Sequence, residues 1–271
     1  MSFDTGWDLS IRPEGNDIIL FFKEETVLFN TSRQSFYSYE ELLPFIGPKS
    51  VSMLYIGSLS ESRVFLCIND NDRFENLFFE AVRTAMFCCD QDLFLALSAA
   101  KTSNHWIMNN RYCGRCGSPS SPQPGERAIV CTSCGNKIFP KISPAVIIAV
   151  CKADEVLLAH NKHFPEGLYS LIAGFVDPGE DIFTAAMREV REETGIIIKN
   201  IRFFSSQPWP FPDSLMIGLI AEYSSGHPTP DDDEIEDAGW FGKTNLPLIP
   251  RKGSIARKIL EYLYPHLREA P

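Results

Sequence analysis

The sequence predicts an α+β fold laid out in three successive regions, 1–105, 106–140 and 141–271. Three observations carry this reading. The first region mixes strand-like runs with one long helical stretch. The second holds two Cys-x2-Cys pairs. In the third, strand-like runs surround two helical segments, an order that suits a mixed sheet sandwiched by helices.

In the first region, IILFF (18–22) and VFLCI (64–68) are short apolar runs rich in strand-forming residues. Residues 77–100 carry apolar side chains at helical spacing, with a break expected at Asp90. No catalytic constellation stands out there. Trp106, at the edge of the second region, reads as a packing residue.

The third region opens with AVIIAV (145–150), followed by strands at 155–160 and just before Gly174. A helix is predicted over 182–193, with Pro178-Gly179 as the turn before it and Gly195 as its C-terminal cap. Strands follow near 197–204 and 215–223, then a strand or turn at 239–242. A last helix is predicted over 254–263, capped by Ser254, with Ile255, Ile259, Leu260 and Leu263 on its apolar face.

The formal charge of -10, from 25 basic and 35 acidic residues, argues against broad sequence-independent nucleic-acid binding, which needs a basic surface. A local strip of Lys137, Lys141, Arg251, Lys252, Arg257 and Lys258 is the exception that could guide a nucleic-acid end. The first ten residues, MSFDTGWDLS, lack the basic segment and apolar core of a secretory signal. The longest apolar run, near 145–151, is far too short for a membrane span. A cytoplasmic protein is the simplest expectation.

Cys113, Cys116, Cys131 and Cys134 form two pairs separated by 14 residues, and each pair is followed by a glycine. Four thiolates at this spacing point to one tetrahedral structural zinc, with the intervening residues as a ribbon hairpin. A site closed by four thiolates has no open position, so its role is in folding. Cys67, Cys88, Cys89 and Cys151 have no ligand spacing and read as small apolar residues.

The densest chemistry lies in GFVDPGEDIFTAAMREVREETGI (174–196). Glu189, Glu192 and Glu193 stand at i, i+3 and i+4, so they share one helix face. Like charges so arranged repel, and a bound cation removes the repulsion. Carboxylate oxygens suit Mg2+ or Mn2+. The pattern G-x5-E-x7-R-E-x2-E-E-x-G is filled by Gly174, Glu180, Arg188, Glu189, Glu192, Glu193 and Gly195. It resembles the signature of Nudix hydrolases. The resemblance implies a Nudix fold for the third region and metal-dependent hydrolysis of a nucleoside diphosphate derivative. It also implies that Glu189, Glu192 and Glu193 bind the catalytic metals and that Arg188 and Glu180 join helix to loop as an ion pair.

Residues 206–214 read SQPWPFPDS, where three prolines hold Trp209 and Phe211 on a short stiff loop suited to stacking on a base. On composition alone, a surface loop with one ring in the core is the stronger reading. The array resembles the one that marks NADH pyrophosphatases within the Nudix superfamily, and the cysteine ribbon fits the same subfamily. This implies cleavage of the pyrophosphate of NAD(H) to nicotinamide mononucleotide and AMP. Relatives of this kind also remove an NAD cap from RNA 5′ ends and form homodimers. By the same resemblance Glu234, in the acidic run at 231–237, is a further metal ligand, and two or three ions sit on the four glutamates. Either Glu189 or Glu234 is the base. Gln207, Pro208, Trp209, Pro210, Phe211, Pro212, Asp213 and Ser214 form a nucleotide-binding unit, Phe175 stacks on a substrate ring with Trp209 or Phe139, and the Ala256 backbone reads the adenine. Phe139 departs from the tyrosine of many relatives. The first region becomes a Nudix-like scaffold or dimerisation domain. A diphosphate such as ADP-ribose, or a non-catalytic nucleotide sensor, remains an alternative at this point.

Overall fold

A computed structural model describes residues 3–30, 32–46, 52–60, 62–68, 74, 76–230 and 234–268. The chain forms two compact units, Met1–Lys141 with Pro210–Asp213, and Ile142–Trp209 with Ser214–Pro271.

The first unit begins with β1 (Asp4–Asp8), β2 (Ile18–Leu20), β3 (Phe22–Lys23), β4 (Thr26–Leu28), β5 (Tyr37–Ser38), α1 (Tyr39–Ile46), β6 (Ser52–Leu59) and β7 (Ser62–Ile68). Then come β8 (Phe79–Ala81), α2 (Val82–Cys88) and α3 (Gln91–Asn109). A five-stranded sheet of order β1-β6-β7-β2-β5 covers a core of Ile19, Phe21, Leu42, Phe65 and Phe74. The helical stretch expected over 77–100 starts later and runs further. Residues 79–81 pair with β4 as a strand, and the break falls at Asp90, whose carboxylate accepts the Asp92 and Leu93 amides and caps α3. Trp106 is therefore a buried residue of that helix.

The ribbon is a three-stranded antiparallel meander: β9 (Ser120–Pro122), β10 (Ile129–Cys131) and β11 (Lys137–Ile138).

The second unit is built on β12 (Ser143–Lys152), β13 (Glu155–Asn161), β14 (Ile172–Phe175), α4 (Ile182–Thr194), β15 (Ile197–Trp209), β16 (Ser214–Ser225), β17 (Ile235–Gly242) and α5 (Ile255–Leu263). Its sheet has the order β15-β16-β12-β13-β17, with β14 paired to β12. The sheet is mixed: β12 and β16 run parallel, the other pairs antiparallel.

Strand alternation explains why the AVIIAV run is apolar throughout. Val146, Ile148 and Val150 pack with Ala185, Ala186 and Val190 of α4, while Ile147 and Ala149 pack with Ile255, Ile259 and Leu260 of α5. A central strand buried on both faces cannot alternate with polar residues. Both helices end as their sequences dictate. Asp181 caps α4 by accepting from the Phe183 and Thr184 amides, Gly195 closes it at φ 69° in the left-handed region, and Ser254 caps α5.

The stiff loop expected at 206–214 proves to be mostly strand. Ser206–Trp209 end β15, paired opposite Ile217 to Ser214 of β16, and only 210–213 turn. Pro208 is tolerated because β15 is an edge strand, so its missing amide breaks no inner ladder.

Candidate active site

Helix α4 and the loop before it converge on Arg188. Its guanidinium donates to both Glu180 oxygens (2.7 and 2.8 Å), to Glu189 (2.8 Å), to Glu192 (3.2 Å) and to the Phe175 carbonyl (2.9 Å). One cation thus ties loop, strand end and helix together. The Arg188 hydrogen bonds, helped by the Asp177 amide, hold the Glu180 carboxyl down at about 2, so it stays ionised. The bidentate fork is a geometry that lysine cannot reproduce.

Glu189 is half-buried behind this pair. Burial raises its pKa above the ordinary glutamate value, the negative charges of Glu192 and Glu234 push the same way, and Arg188 opposes them. Glu234, at the entry to β17, is therefore close enough for its charge to be felt at Glu189. Glu193 is buried at 8% exposure, whereas Glu192 and Glu234 are exposed. The three helix carboxylates accordingly sit at graded depth. Asp231–Asp233, the rest of the acidic run ahead of Glu234, lie outside the described residues.

Gly174 at the end of β14 explains how Glu189 is seated. A Cβ on residue 174 would lie 2.0 Å from Glu189 Cδ and 2.1–2.3 Å from its two oxygens. The sequence marks this glycine only as the first position of a pattern; nothing in it signals a carboxylate lying against the Cα. The Phe175 carbonyl that anchors Arg188 is equally invisible to sequence reading. These hard oxygen donors, gathered on one helix with a bare backbone beside them, are the donor set that Mg2+ or Mn2+ prefers.

The four cysteines give a sharper test. Among the described residues they are the one group of candidate ligands whose donor atoms all lie within 4.8 Å of one another. The glutamate oxygens do not converge to that degree. Sγ separations are 3.8 Å for Cys113–Cys134 and 3.5 Å for Cys116–Cys131 and Cys116–Cys134. A tetrahedron with Zn–S of about 2.3 Å has edges of about 3.8 Å, so the set fits zinc. Backbone amides, led by those of Arg115, Ser118 and Cys134 respectively, lower Cys113, Cys116 and Cys131 toward the thiolate form. The Asn136 amide pulls Cys134 the same way, but its sulfur neighbours push it up to about 11.

The remaining sequence-predicted residues divide between the units. In the second, Gln207 is buried; its Nε2 donates to the Gly253 carbonyl (2.7 Å) and its Oε1 has no partner. Ala256 is the second residue of α5, where the backbone amide lacks an intrahelical acceptor. Trp209 is half-buried, Pro208 and Phe175 are exposed, and Ser214 is buried. In the first unit, Phe139 is 57% exposed. Pro210 and Asp213 are buried, with Lys141 Nζ 3.7 Å from the Asp213 carboxylate, and Pro212 is exposed after a cis Phe211-Pro212 bond. Arg83 lies over the Phe211 ring at 4.5 Å. The expected basic strip loses a member, because Arg257 is 6% exposed and is held by Glu261 (2.9 Å) and the Leu267 carbonyl (2.7 Å). Lys137 is paired with Glu126 at 2.7 Å.

Comparison with known proteins agrees with this layout. The NUDIX domain matches residues 141–263 and the NADH pyrophosphatase zinc ribbon domain matches 109–139. The chain is 45% identical over 183 residues to the NAD-capped RNA hydrolase NudC of Stutzerimonas stutzeri, covering 68% of this chain and 66% of that protein. It is 36% identical over 260 residues to the protein of the same name from Pseudomonas fluorescens Pf0-1, covering 94% and 88%. With the first of these relatives, then, the match spans just under two thirds of the relative's length. A NUDIX hydrolase from Nitrosomonas europaea shares the fold at a TM-score of 0.50 and 20% identity, over 59% of this chain and 94% of that one.

Proposed function

Because the chain belongs to the Nudix family, among relatives of the NudC type, we propose that it hydrolyses the pyrophosphate of NAD(H), free or as the 5′ cap of an RNA, to nicotinamide mononucleotide and AMP. The observation that carries this is the graded set of Glu189, Glu192, Glu193 and Glu234 around the Arg188–Glu180 pair.

Glu189, Glu192, Glu193 and Glu234 would hold two or three Mg2+ or Mn2+ ions, which neutralise the pyrophosphate and acidify a water. The protein's own groups do the rest. Arg188 fixes the rotamers of Glu189 and Glu192 and stays fully charged, since its pKa is raised above that of free arginine, chiefly by Glu180. Glu189 is the stronger candidate for accepting the proton from the attacking water, because burial already favours its protonated form. Glu234 remains the second candidate. Phe175 and Trp209 offer ring faces for stacking. Gln207 Oε1 offers an acceptor to a base amino group, and the Ala256 amide offers a donor. Phe139, Pro208, Pro210, Phe211, Pro212, Asp213 and Ser214 are assigned to the same nucleotide.

The ribbon cysteines would hold one structural zinc. The eight free thiols favour a reducing compartment, the cytoplasm, and no helix among the described residues is long and apolar enough to cross a membrane. Residues 1–105, the ribbon at 106–140 and the catalytic region at 141–271 are the proposed domains, with the first serving as a scaffold for a homodimer.

Product analysis after incubation with NADH and Mn2+ tests the reading. Reduced nicotinamide mononucleotide plus AMP is expected. Faster turnover of ADP-ribose than of NADH would move the substrate elsewhere in the family. Parallel assays on free NAD and on NAD-capped RNA rank the two substrates.

A further inference from the structure

We propose that His160 is a positioning residue for the Glu234 carboxylate, acting through a β-bulge at Glu236. The inference rests on the assignment of Glu234 to the active site.

The pairing of β13 with β17 is regular from Glu155↔Gly242 to His160↔Asp237, then jumps to Asn161↔Ile235. Glu236 is the extra residue. On β17, Ala238 and Trp240 pack against the α4-side core. Unbroken alternation would bring Glu236 to that same face. The bulge brings Ile235 there instead, 4% exposed in the same core cluster, and extrudes Glu236. The strand then ends, leaving Glu234 at its entry with its charge reaching Glu189. Bulges re-aim side chains in this way beside active sites.

The extruded residue is held by His160. Its Nε2 lies 3.5 Å from Glu236 Oε2, and its Nδ1 lies 2.8 Å from the Leu168 carbonyl oxygen. With Nδ1 engaged at the carbonyl, Nε2 is the nitrogen that faces the carboxylate. His160 is nearly buried and packs on Tyr169, whose hydroxyl donates to Asp237 at 2.6 Å. The Lys162 amide donates to the Glu234 carbonyl at 3.0 Å. The bulge is therefore pinned on both sides. Glu236 is 64% exposed, so without His160 its carboxylate would turn to water and the extrusion would lose its anchor.

The test compares Mn2+ affinity, read from the electron paramagnetic resonance signal of free Mn2+, with kcat and Tm for His160→Phe, Glu236→Ala, the double variant and Glu234→Gln. His160→Phe and Glu236→Ala should each weaken Mn2+ binding about tenfold, the size of effect typical of groups that orient metal ligands. The double variant should be no worse than either single one. Unchanged Mn2+ affinity in His160→Phe and Glu236→Ala, with Glu234→Gln impaired, overturns the inference, as does a fall in Tm with unaltered Mn2+ affinity. If Glu234→Gln itself binds Mn2+ normally and keeps its kcat, the assignment of Glu234 has failed instead.

Discussion

Gly174 and Glu189 occupy what is nearly one volume: the position a Cβ would take on the glycine lies 2.0 Å from the glutamate Cδ. Neither partner has room to give. Glu189 is held from the other side by Arg188, which also grips the Phe175 carbonyl next to the glycine. Gly174→Ala should therefore displace the Glu189 carboxylate. We expect kcat with NADH to fall roughly ten- to a hundredfold, since small misplacements of a catalytic group carry penalties of that order. Circular dichroism and Tm should show a folded protein. Wild-type turnover in this variant would mean that Glu189 can leave its seat without consequence.

Glu192 differs from its neighbours in being exposed and only loosely held by Arg188, at 3.2 Å. Its removal should leave the fold intact. Glu192→Gln is expected to lower kcat by at least about a hundredfold at saturating Mn2+, because it removes a charge that the metals need. The assay is steady-state hydrolysis of NADH. Near-normal turnover would remove Glu192 from the metal site.

The ribbon makes an independent prediction. Purified protein should contain one zinc per chain by atomic emission, and Cys131→Ser should lose it together with thermal stability. Cys131 is buried, at the end of the middle strand of the meander, so the loss reaches the ribbon core and not only its surface. Full zinc content in that variant would point to another donor.

How much of this was legible in the residues depends on how local the cause is. The α4 caps, the shared face of three glutamates and the cysteine spacing are all set within a few residues, and each is found where the sequence placed it. Non-local causes stayed hidden. Ser206–Trp209 read as loop because prolines break strands; only the sheet order reveals an edge position where Pro208 does no harm. The helix begun too early at 77 failed because residues 79–81 take β4 as a partner, and no periodicity announces a partner. Arg257 looked like a free surface cation until Glu261 and the Leu267 carbonyl closed around it. Glu234 sat in a run of acids that charge alone cannot tell from a solvated loop.

The first unit offers a test of pH-dependent stability well away from the catalytic carboxylates. Asp17 is buried, and burial by itself raises its pKa. Hydrogen bonds win over that effect: Arg63 donates from Nε (3.0 Å) and Nη2 (2.6 Å), and the Arg63 and Glu14 amides add 3.1 and 2.8 Å contacts. The net result is a carboxyl held below the ordinary aspartate value. A depressed folded-state pKa means that the unfolded chain binds the proton more readily. The pair therefore contributes its full stability above about pH 4 and loses it as pH falls through the lower, folded-state value. Asp17→Asn removes the charge but keeps the shape, leaving Arg63 with only Glu14 as an anionic partner. Urea denaturation at pH 7 should show this variant less stable by about 3 kcal/mol, as for other partly buried pairs broken on one side. The gap from wild type should narrow between about pH 4 and pH 3, because only the wild-type protein has this carboxylate to protonate. A gap that stayed constant down to pH 3 would show that Asp17 acts through shape and not through its charge.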